Sequence, residues 1–176
     1  RLSRKNVVVI MAGVMLLLGT MAHGAAILEG ERMSPVQGRE GMVVTSHFLA
    51  TQSAQDVLKK GGNAIDAAVT AAFSLAVTQP RSGNIGGGGF MLISSEQKDA
   101  VVAVDYREKA PAGATVDMFL DKEGDADSQL SRYSHLAAGV PGTVAGLALA
   151  LEKYGTISLR EAMAPAIKLA EEGFVV

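Results

Sequence analysis

The sequence predicts an α+β fold in which helices pack on a largely antiparallel sheet. The predicted elements follow the order helix, helix, β-hairpin, helix, helix, and this segregated order is typical of that class. Hydrophobic residues make up 48% of the 176 residues and charged residues 19%. This composition provides enough apolar material for a core and excludes a disordered chain.

The start of the chain, residues 1–24, is typical of a secretory signal peptide. Basic residues lie within Arg1–Lys5, an apolar run spans Val7–Met21, and small residues precede a cleavage point after Gly24. The run is shorter than the roughly 20 residues of a membrane span, which favours cleavage over a retained anchor. We expect residues 25–40 to form a polar lead-in and residues 41–176 the folded portion. The protein would then be periplasmic or secreted and would meet the membrane only through its export signal.

Two helices are predicted near the start of the folded portion. Residues 42–45 predict a strand, and helical spacing over the next dozen residues predicts a helix that ends at the glycine pair after Lys60. Asn63 is placed to cap a second helix, with Asp66 at the capping-box position. This helix extends to about Thr78, and because it is small and apolar almost all round we expect it to be buried.

A β-hairpin and a surface loop follow. Residues 90–94 and 100–106 are two apolar segments joined by a polar turn, and this pattern predicts two antiparallel strands. Residues 121–135 are mostly polar and predict an exposed loop.

The last two predicted helices have recognisable ends. Pro141 is expected at the first position of one helix, and Gly155 ends that helix. Ser158 and Glu161 form a capping box for the final helix, which ends at Gly173.

Charge and residue types exclude several classes of function. Without the three basic residues of the signal, 13 basic and 18 acidic residues leave a net charge of −5, so nothing favours binding of nucleic acid or anionic lipid. The absence of cysteine excludes disulfides, thiolate catalysis and cysteine-based metal sites. His23 belongs to the predicted signal peptide, and His47 and His135 lack metal-ligand spacing. No Gly-x-Ser-x-Gly elbow is present.

Two features could bind a ligand. Four consecutive glycines, Gly86–Gly89, follow a helix and precede a strand; this is the wrong context for a phosphate loop, so we interpret them as a segment of close backbone packing. Arg107 ends a hydrophobic strand, where its planar guanidinium could hold a carboxylate with two hydrogen bonds. From the residues alone, an ion pair with Asp105 or Glu108 is the favoured interpretation of Arg107.

Four motifs occur in register along the chain: Gly61–Ala68, Gly83–Met91, Asp105–Pro111 and Gly139–Gly146. Through these motifs, residues 40–176 resemble the N-terminal half of the large subunit of γ-glutamyltranspeptidases. The resemblance implies the N-terminal-nucleophile hydrolase fold, an αββα sandwich of which only the N-terminal portion is present. It also implies a precursor that cuts itself into a large and a small subunit.

The same resemblance implies the chemistry. A threonine at the start of the small subunit acts as nucleophile, with its own α-amino group as base. Through a γ-glutamyl-threonine acyl-enzyme it passes the γ-glutamyl group of glutathione and other γ-glutamyl compounds to water or to an amino acid or dipeptide acceptor. No metal or organic cofactor is implied. No catalytic residue lies in this chain, which by itself is expected to be inactive.

One residue role is transferred from the family to this sequence. In the D-[FY]-R-E motif the arginine binds the α-carboxylate of the donor, which assigns substrate binding to Arg107 and reverses the ion-pair interpretation. Thr45-Ser46-His47 superficially resembles the Thr-Thr-His start of the small subunit. Because it lies far from any processing junction, we interpret Thr45 as structural.

Two other functions stay open. A sibling enzyme on the same fold, such as a cephalosporin (glutaryl) acylase or a poly-γ-glutamate capsule transpeptidase, would differ mostly outside these residues. A non-catalytic fragment that acts only as a binding protein would expose large apolar faces, which argues against it.

Overall fold

The computed structural model describes Pro35 and residues 37–83, 85–95 and 100–175. The predicted signal peptide and most of the lead-in lie outside these residues. The chain divides into two units at Gln37, and the second unit is Gly38–Val176. Every helix and strand described below belongs to the second unit.

Helix α1 spans Phe48–Lys59, which confirms the first predicted helix. Its cap is His47, whose Nδ1 accepts a hydrogen bond from the backbone N–H of Leu49 at 3.3 Å. The strand predicted at residues 42–45 is wrong, because within the described part of the chain no strand pairs with them. Val43 instead packs on a cluster of helix alanines, whereas Met42 and Val44 are exposed.

Helix α2 spans Ala64–Thr78 and begins with the predicted capping box. The Asn63 side chain accepts hydrogen bonds from the N–H groups of Ile65 and Asp66, at 2.9 and 3.0 Å. In return, the Asp66 carboxylate accepts the N–H of Asn63 at 2.8 Å. Eight residues of α2 are buried, which confirms the prediction of a buried helix.

Asp66 also joins α2 to a distant part of the chain. Its carboxylate, fully buried, accepts the N–H of Thr156 at 2.8 Å, the Thr156 hydroxyl at 2.6 Å and the N–H of Ile157 at 3.3 Å. Burial raises the pKa of Asp66, but these hydrogen bonds and that from Asn63 outweigh it and leave the pKa below its ordinary value. The charged carboxylate therefore links the start of α2 to the turn at residues 156–157. Gly155 lies close to the same carboxylate, since a Cβ added to Gly155 would lie 2.7 Å from Asp66 Oδ1.

The predicted hairpin is confirmed to within one residue at its ends. Strands β1 (Phe90–Ser95) and β2 (Ala100–Asp105) are antiparallel, with Phe90 opposite Asp105. Ile93 and Val104 are buried on one face, whereas the opposite face carries the exposed apolar side chains of Phe90, Leu92 and Val101. Both faces of this two-stranded sheet are therefore apolar.

The segment between the hairpin and the next long helix is only partly a loop. The predicted exposure of residues 121–135 is confirmed for most of them, but the segment contains a short helix, α3, at Ser128–Tyr133. Asp127 caps α3 by accepting the N–H of Gln129 at 2.7 Å. An aspartate that accepts the backbone N–H groups two and three residues later marks the start of a helix. The polar composition of the segment had suggested a loop instead.

Helix α4 spans Thr143–Tyr154, so Pro141 does not occupy its first position. Gly142 is the cap, and its N–H donates to Gly87 O at 2.8 Å. Val140 also pairs with Lys109 in an isolated antiparallel bridge. These contacts hold the chain in a non-helical path until Gly142, and the predicted end at Gly155 is confirmed.

Helix α5 spans Leu159–Glu172, with the predicted Ser158–Glu161 capping box and end at Gly173. The main core lies where α2, α4 and α5 meet. Its buried members are Val69, Phe73, Leu147, Ala150, Leu151, Ala162 and Ala166. A second small core of Ala54, Ala67 and Ala71 joins α1 to α2. No helix within the described ranges has the length and apolar character of a membrane crossing.

Candidate substrate-binding site

Three of the sequence motifs meet just beyond the end of β2. The glycine loop Gly86–Gly89 lies beside residues 106–108, and residues 139–146 contact both of these segments. Gly87 O accepts the N–H groups of Gly142 and Thr143 at 2.8 and 3.1 Å. Motifs that are far apart in the sequence thus form one continuous surface.

Arg107 lies on this surface, two residues after β2 ends. Its side chain is 62% exposed, and Nε donates to Glu108 Oε2 at 3.1 Å. The guanidinium carbon lies 5.8 Å from the centre of the Phe90 ring, within the range of a cation–π contact. The backbone N–H of Arg107 donates to Asp105 Oδ1 at 3.0 Å.

The ion pair expected from the residues alone is therefore present, and it engages Glu108 rather than Asp105. It occupies only Nε, so the two terminal nitrogens of Arg107 have no partner among the described residues. Those two nitrogens form the fork that matches a carboxylate. An ion pair within the chain and a carboxylate ligand are thus compatible at the same guanidinium.

Glu108 is held in its charged form. The backbone N–H of Glu108 itself lowers the pKa of its carboxyl most, partial desolvation opposes this, and Arg107 and the N–H of Gly88 lower the pKa further. The carboxylate therefore persists at neutral pH, and so does its ion pair with Arg107.

The glycine loop is a segment of close packing, as predicted. A Cβ on Gly88 would lie 2.6 Å from Tyr106 O and 2.8 Å from both Arg107 Cα and Glu108 N. Gly142 approaches the Tyr106 carbonyl even more closely. The backbone next to Arg107 is therefore enclosed by two positions that only glycine can occupy without a shift.

The sequence missed the side chains that support Arg107. Neither Tyr106 nor Phe90 stood out, because an aromatic residue near a strand end is normally part of a core. The available signal was the spacing of Gly142, the cap of α4, and Gly146, which lies one helical turn later. Glycines at this spacing mark one face of a helix that another group approaches closely.

The Thr45-Ser46-His47 segment has a structural role, as predicted. The Thr45 hydroxyl bonds to His47 O and to the hydroxyl of Thr51, both at 2.8 Å, while His47 caps α1. His135 begins a 3-10 turn. Across residues 37–83, 85–95 and 100–175, no three histidine or carboxylate side chains are placed to share a metal ion.

The profile of the Gamma-glutamyltranspeptidase family matches residues 50–176. The chain is 54% identical over 149 residues to the glutathione hydrolase proenzyme of Escherichia coli (strain K12), which covers 85% of this chain and 26% of that protein. It is 41% identical over 148 residues to the Acylase ACY 1 proenzyme of Pseudomonas sp. (strain V22), covering 81% and 26%.

Among solved structures, the fold is similar to Helicobacter pylori gamma-glutamyltranspeptidase. The TM-score is 0.77 at 52% identity, over 81% of this chain and 41% of that one. The chain thus spans about a quarter of the length of the curated relatives that it matches.

Proposed function

The chain belongs to the γ-glutamyltranspeptidase family, and from this premise we propose that the protein containing it transfers γ-glutamyl groups from glutathione and related compounds. Water or an amino acid or dipeptide would be the acceptor. The chain is 54% identical to a protein named glutathione hydrolase proenzyme but only 41% identical to a protein named acylase. This difference favours the γ-glutamyl reaction over the acylase alternative. The predicted α+β fold class, a portion of an N-terminal-nucleophile hydrolase, is confirmed by the likeness in fold.

The observation that carries the proposal is the placement of Arg107. Its side chain is exposed and its terminal nitrogens have no hydrogen-bond partner within the described residues. The ion pair at Nε, the ring of Phe90 and the enclosed backbone restrain the side chain. A restrained guanidinium with a free fork fits a small carboxylate ligand. The α-carboxylate of a γ-glutamyl donor is such a group.

The nucleophile of this reaction lies outside the chain. Its hydroxyl would attack the γ-carbonyl, the amide bond would break, and the proton of the hydroxyl would leave on the released amine. An acceptor amine or water would then release the γ-glutamyl group. In this scheme Arg107 holds the donor by a group that does not react, so it orients the γ-carbonyl without taking part in bond making.

We also propose that the small subunit from the same precursor covers the hairpin. The outer face of the hairpin carries Phe90, Leu92 and Val101, and Leu92 is 74% exposed. An apolar sheet face of this kind is stable in water only when another layer covers it. A second sheet, as in an αββα sandwich, would supply that layer.

Export belongs to the proposal as well. The basic start, apolar run and small residues before Ala25 support cleavage of a signal peptide and a periplasmic or secreted location.

The test of the proposed function is Arg107→Ala in the full-length precursor. Once the donor and the rest of the protein cover it, Arg107 would form a desolvated charge pair with the α-carboxylate. Losing one partner of such a pair typically costs about 2–5 kcal/mol, or roughly 30- to 4,000-fold in kcat/KM at about 1.4 kcal/mol per tenfold. Self-cleavage should largely survive, and Arg107→Lys should recover part of the loss because an ammonium lacks the planar fork.

The control is 4-aminobutanoyl-p-nitroanilide, a donor without the α-carboxylate, beside γ-glutamyl-p-nitroanilide. It should be poor for the wild type and hardly worse for Arg107→Ala. Equal losses on both donors would make Arg107 a structural ion-pair residue. A glutaryl amide keeps the carboxylate and lacks only the amino group, so faster turnover of a glutaryl than of a γ-glutamyl donor would favour the acylase instead.

A further inference from the structure

The ring of Tyr106 lies in a slot between two glycines. A Cβ on Gly146 would lie 2.6 Å from Tyr106 Cδ1, and a Cβ on Gly89 would lie 2.9 Å from Cε2. The ring can lie this close to both backbones only because neither residue has a side chain. Burial also raises the pKa of Tyr106, and its hydroxyl lies 3.5 Å from Phe90 O.

The backbone of Tyr106 is held as firmly as its ring. Its N–H donates to Gly89 O at 3.0 Å, and its carbonyl oxygen accepts the N–H of Gly89 at 3.4 Å. Gly88 and Gly142 enclose the same carbonyl. Tyr106 is thus fixed by β1, by the glycine loop and by the first turn of α4.

This anchoring determines where the next side chain points. Along residues 104–107 exposure alternates, with Val104 and Tyr106 turned inward and Asp105 and Arg107 turned outward. In a strand-like segment successive side chains point to opposite faces. A ring fixed in the slot therefore directs Arg107 to the face that carries Phe90.

The ion pair alone does not fix Arg107 in this way. The Arg107 and Glu108 side chains are 62% and 36% exposed, and exposed ion pairs restrain their side chains only weakly. The stronger restraint on the direction of Arg107 comes from Tyr106, the residue before it in the chain.

We propose that Tyr106 is a positioning residue for the γ-glutamyl donor, whose ring, seated between Gly89 and Gly146, sets the direction in which Arg107 presents its guanidinium to the α-carboxylate. This inference rests on the proposed function. Because Tyr106 acts through Arg107, its removal weakens donor binding only where the donor carries an α-carboxylate.

The experiment compares Tyr106→Leu and Gly146→Ala in the full-length precursor. Leucine keeps apolar volume but leaves the slot poorly filled, and the methyl of Gly146→Ala overlaps the ring. A displacement of about 1 Å can cost on the order of 100-fold. We expect kcat/KM for γ-glutamyl-p-nitroanilide to fall about 10- to 100-fold, mainly through KM, with little change for 4-aminobutanoyl-p-nitroanilide. Tyr106→Phe keeps the ring and should recover most of the loss.

The matched control is Tyr133→Leu, the same substitution at a tyrosine of α3 that is 76% exposed; its kinetics should equal those of the wild type. In an Arg107→Ala background, Tyr106→Leu should cause no further loss. Equal losses on both donors, or a loss that adds to that of Arg107→Ala, would overturn the proposal. So would failure of both slot variants to mature, because the ring would then serve folding alone.

The two proposals fail separately. If Arg107→Ala itself affects both donors equally, the role of Arg107 is wrong. If Arg107→Ala distinguishes the donors and Tyr106→Leu does not, only the positioning role of Tyr106 is wrong.

Discussion

Asp66→Asn should loosen the junction between α2 and the turn that precedes α5. Asp66 Oδ1 accepts two backbone N–H groups, and Oδ2 accepts the N–H of Asn63 and the Thr156 hydroxyl. An asparagine keeps one oxygen and replaces the other with a donor. If the new NH₂ group takes the Oδ2 position, the Thr156 hydroxyl can turn to accept from it, but the N–H of Asn63 loses its partner.

The cost follows from that count. One unsatisfied buried donor costs about 1–3 kcal/mol, and the remaining hydrogen bonds lose the advantage of a charged acceptor. We therefore expect a total loss of about 2–4 kcal/mol, a large part of the roughly 5–15 kcal/mol that stabilises a typical domain.

Hydrogen–deuterium exchange on the full-length protein measures this loss locally. A loss of about 2–4 kcal/mol corresponds to exchange about 30- to 700-fold faster in peptides that contain Thr156 and Ile157. Asp121→Asn is the matched control. The side chain of exposed Asp121 accepts the backbone N–H groups of Glu123 and Asp125 on the same oxygen, Oδ1, and the amide oxygen of an asparagine can keep both bonds. A change below about twofold for Asp66→Asn would refute the reasoning.

The pH dependence gives an independent check. The folded-state pKa of Asp66 lies below its ordinary value of 3.8, so its contribution to stability is complete above that value. The contribution is lost as pH falls through the folded-state pKa. The difference in exchange between wild type and Asp66→Asn should therefore shrink below about pH 4. A constant difference down to about pH 2 would contradict the assignment.

Three further predictions concern maturation, activity and export. Gly88→Val in the full-length precursor should reduce self-cleavage on a denaturing gel, because its side chain would overlap Tyr106 O; normal maturation with lost affinity for a phosphorylated ligand would instead indicate a phosphate site. Residues 25–176 expressed alone should not turn over γ-glutamyl-p-nitroanilide, and activity that a mutation in this segment abolishes would place the chemistry here. Terminal sequencing of the exported protein should find Ala25 or a close neighbour at the start, whereas an intact Arg1 would exclude cleavage.

Local signals predicted α1, α2 and α5 well, but they missed α3 and misplaced the start of α4. The capping boxes at Asn63 and Ser158 lie close in sequence to their partners Asp66 and Glu161, so the sequence contains the whole interaction. The strand expected at residues 42–45 failed because strand formation depends on a partner elsewhere in the chain.

Pro141 was misplaced for the same reason as that strand. Val140 and Gly142, on either side of it, contact Lys109 and Gly87, which are both distant in sequence. A local pattern therefore could not show that the chain stays non-helical through Pro141.

The candidate site was predictable only in part. A strand-end arginine next to Glu108 suggested a carboxylate or an ion pair, and the structure contains that ion pair. The slot around Tyr106 was not predictable, because it depends on Gly89 and Gly146, which lie on either side of the tyrosine and far from it in the sequence. The sequence lists the residue types but does not show which segments of backbone pack closely against each other in the fold.

The bonds between Asp66 and Thr156 have a consequence for the order of folding. They close a segment of 90 residues, and for a chain of that length closure costs about 4 kcal/mol of entropy. At roughly 5–20 residues per second, a ribosome needs about 5–18 s to synthesise the segment. During that interval α1 and α2 can pair through their alanines, but the carboxylate that begins α2 still lacks three of its four donors. The completed junction therefore forms only after α4 has been synthesised, and until then water must solvate Asp66.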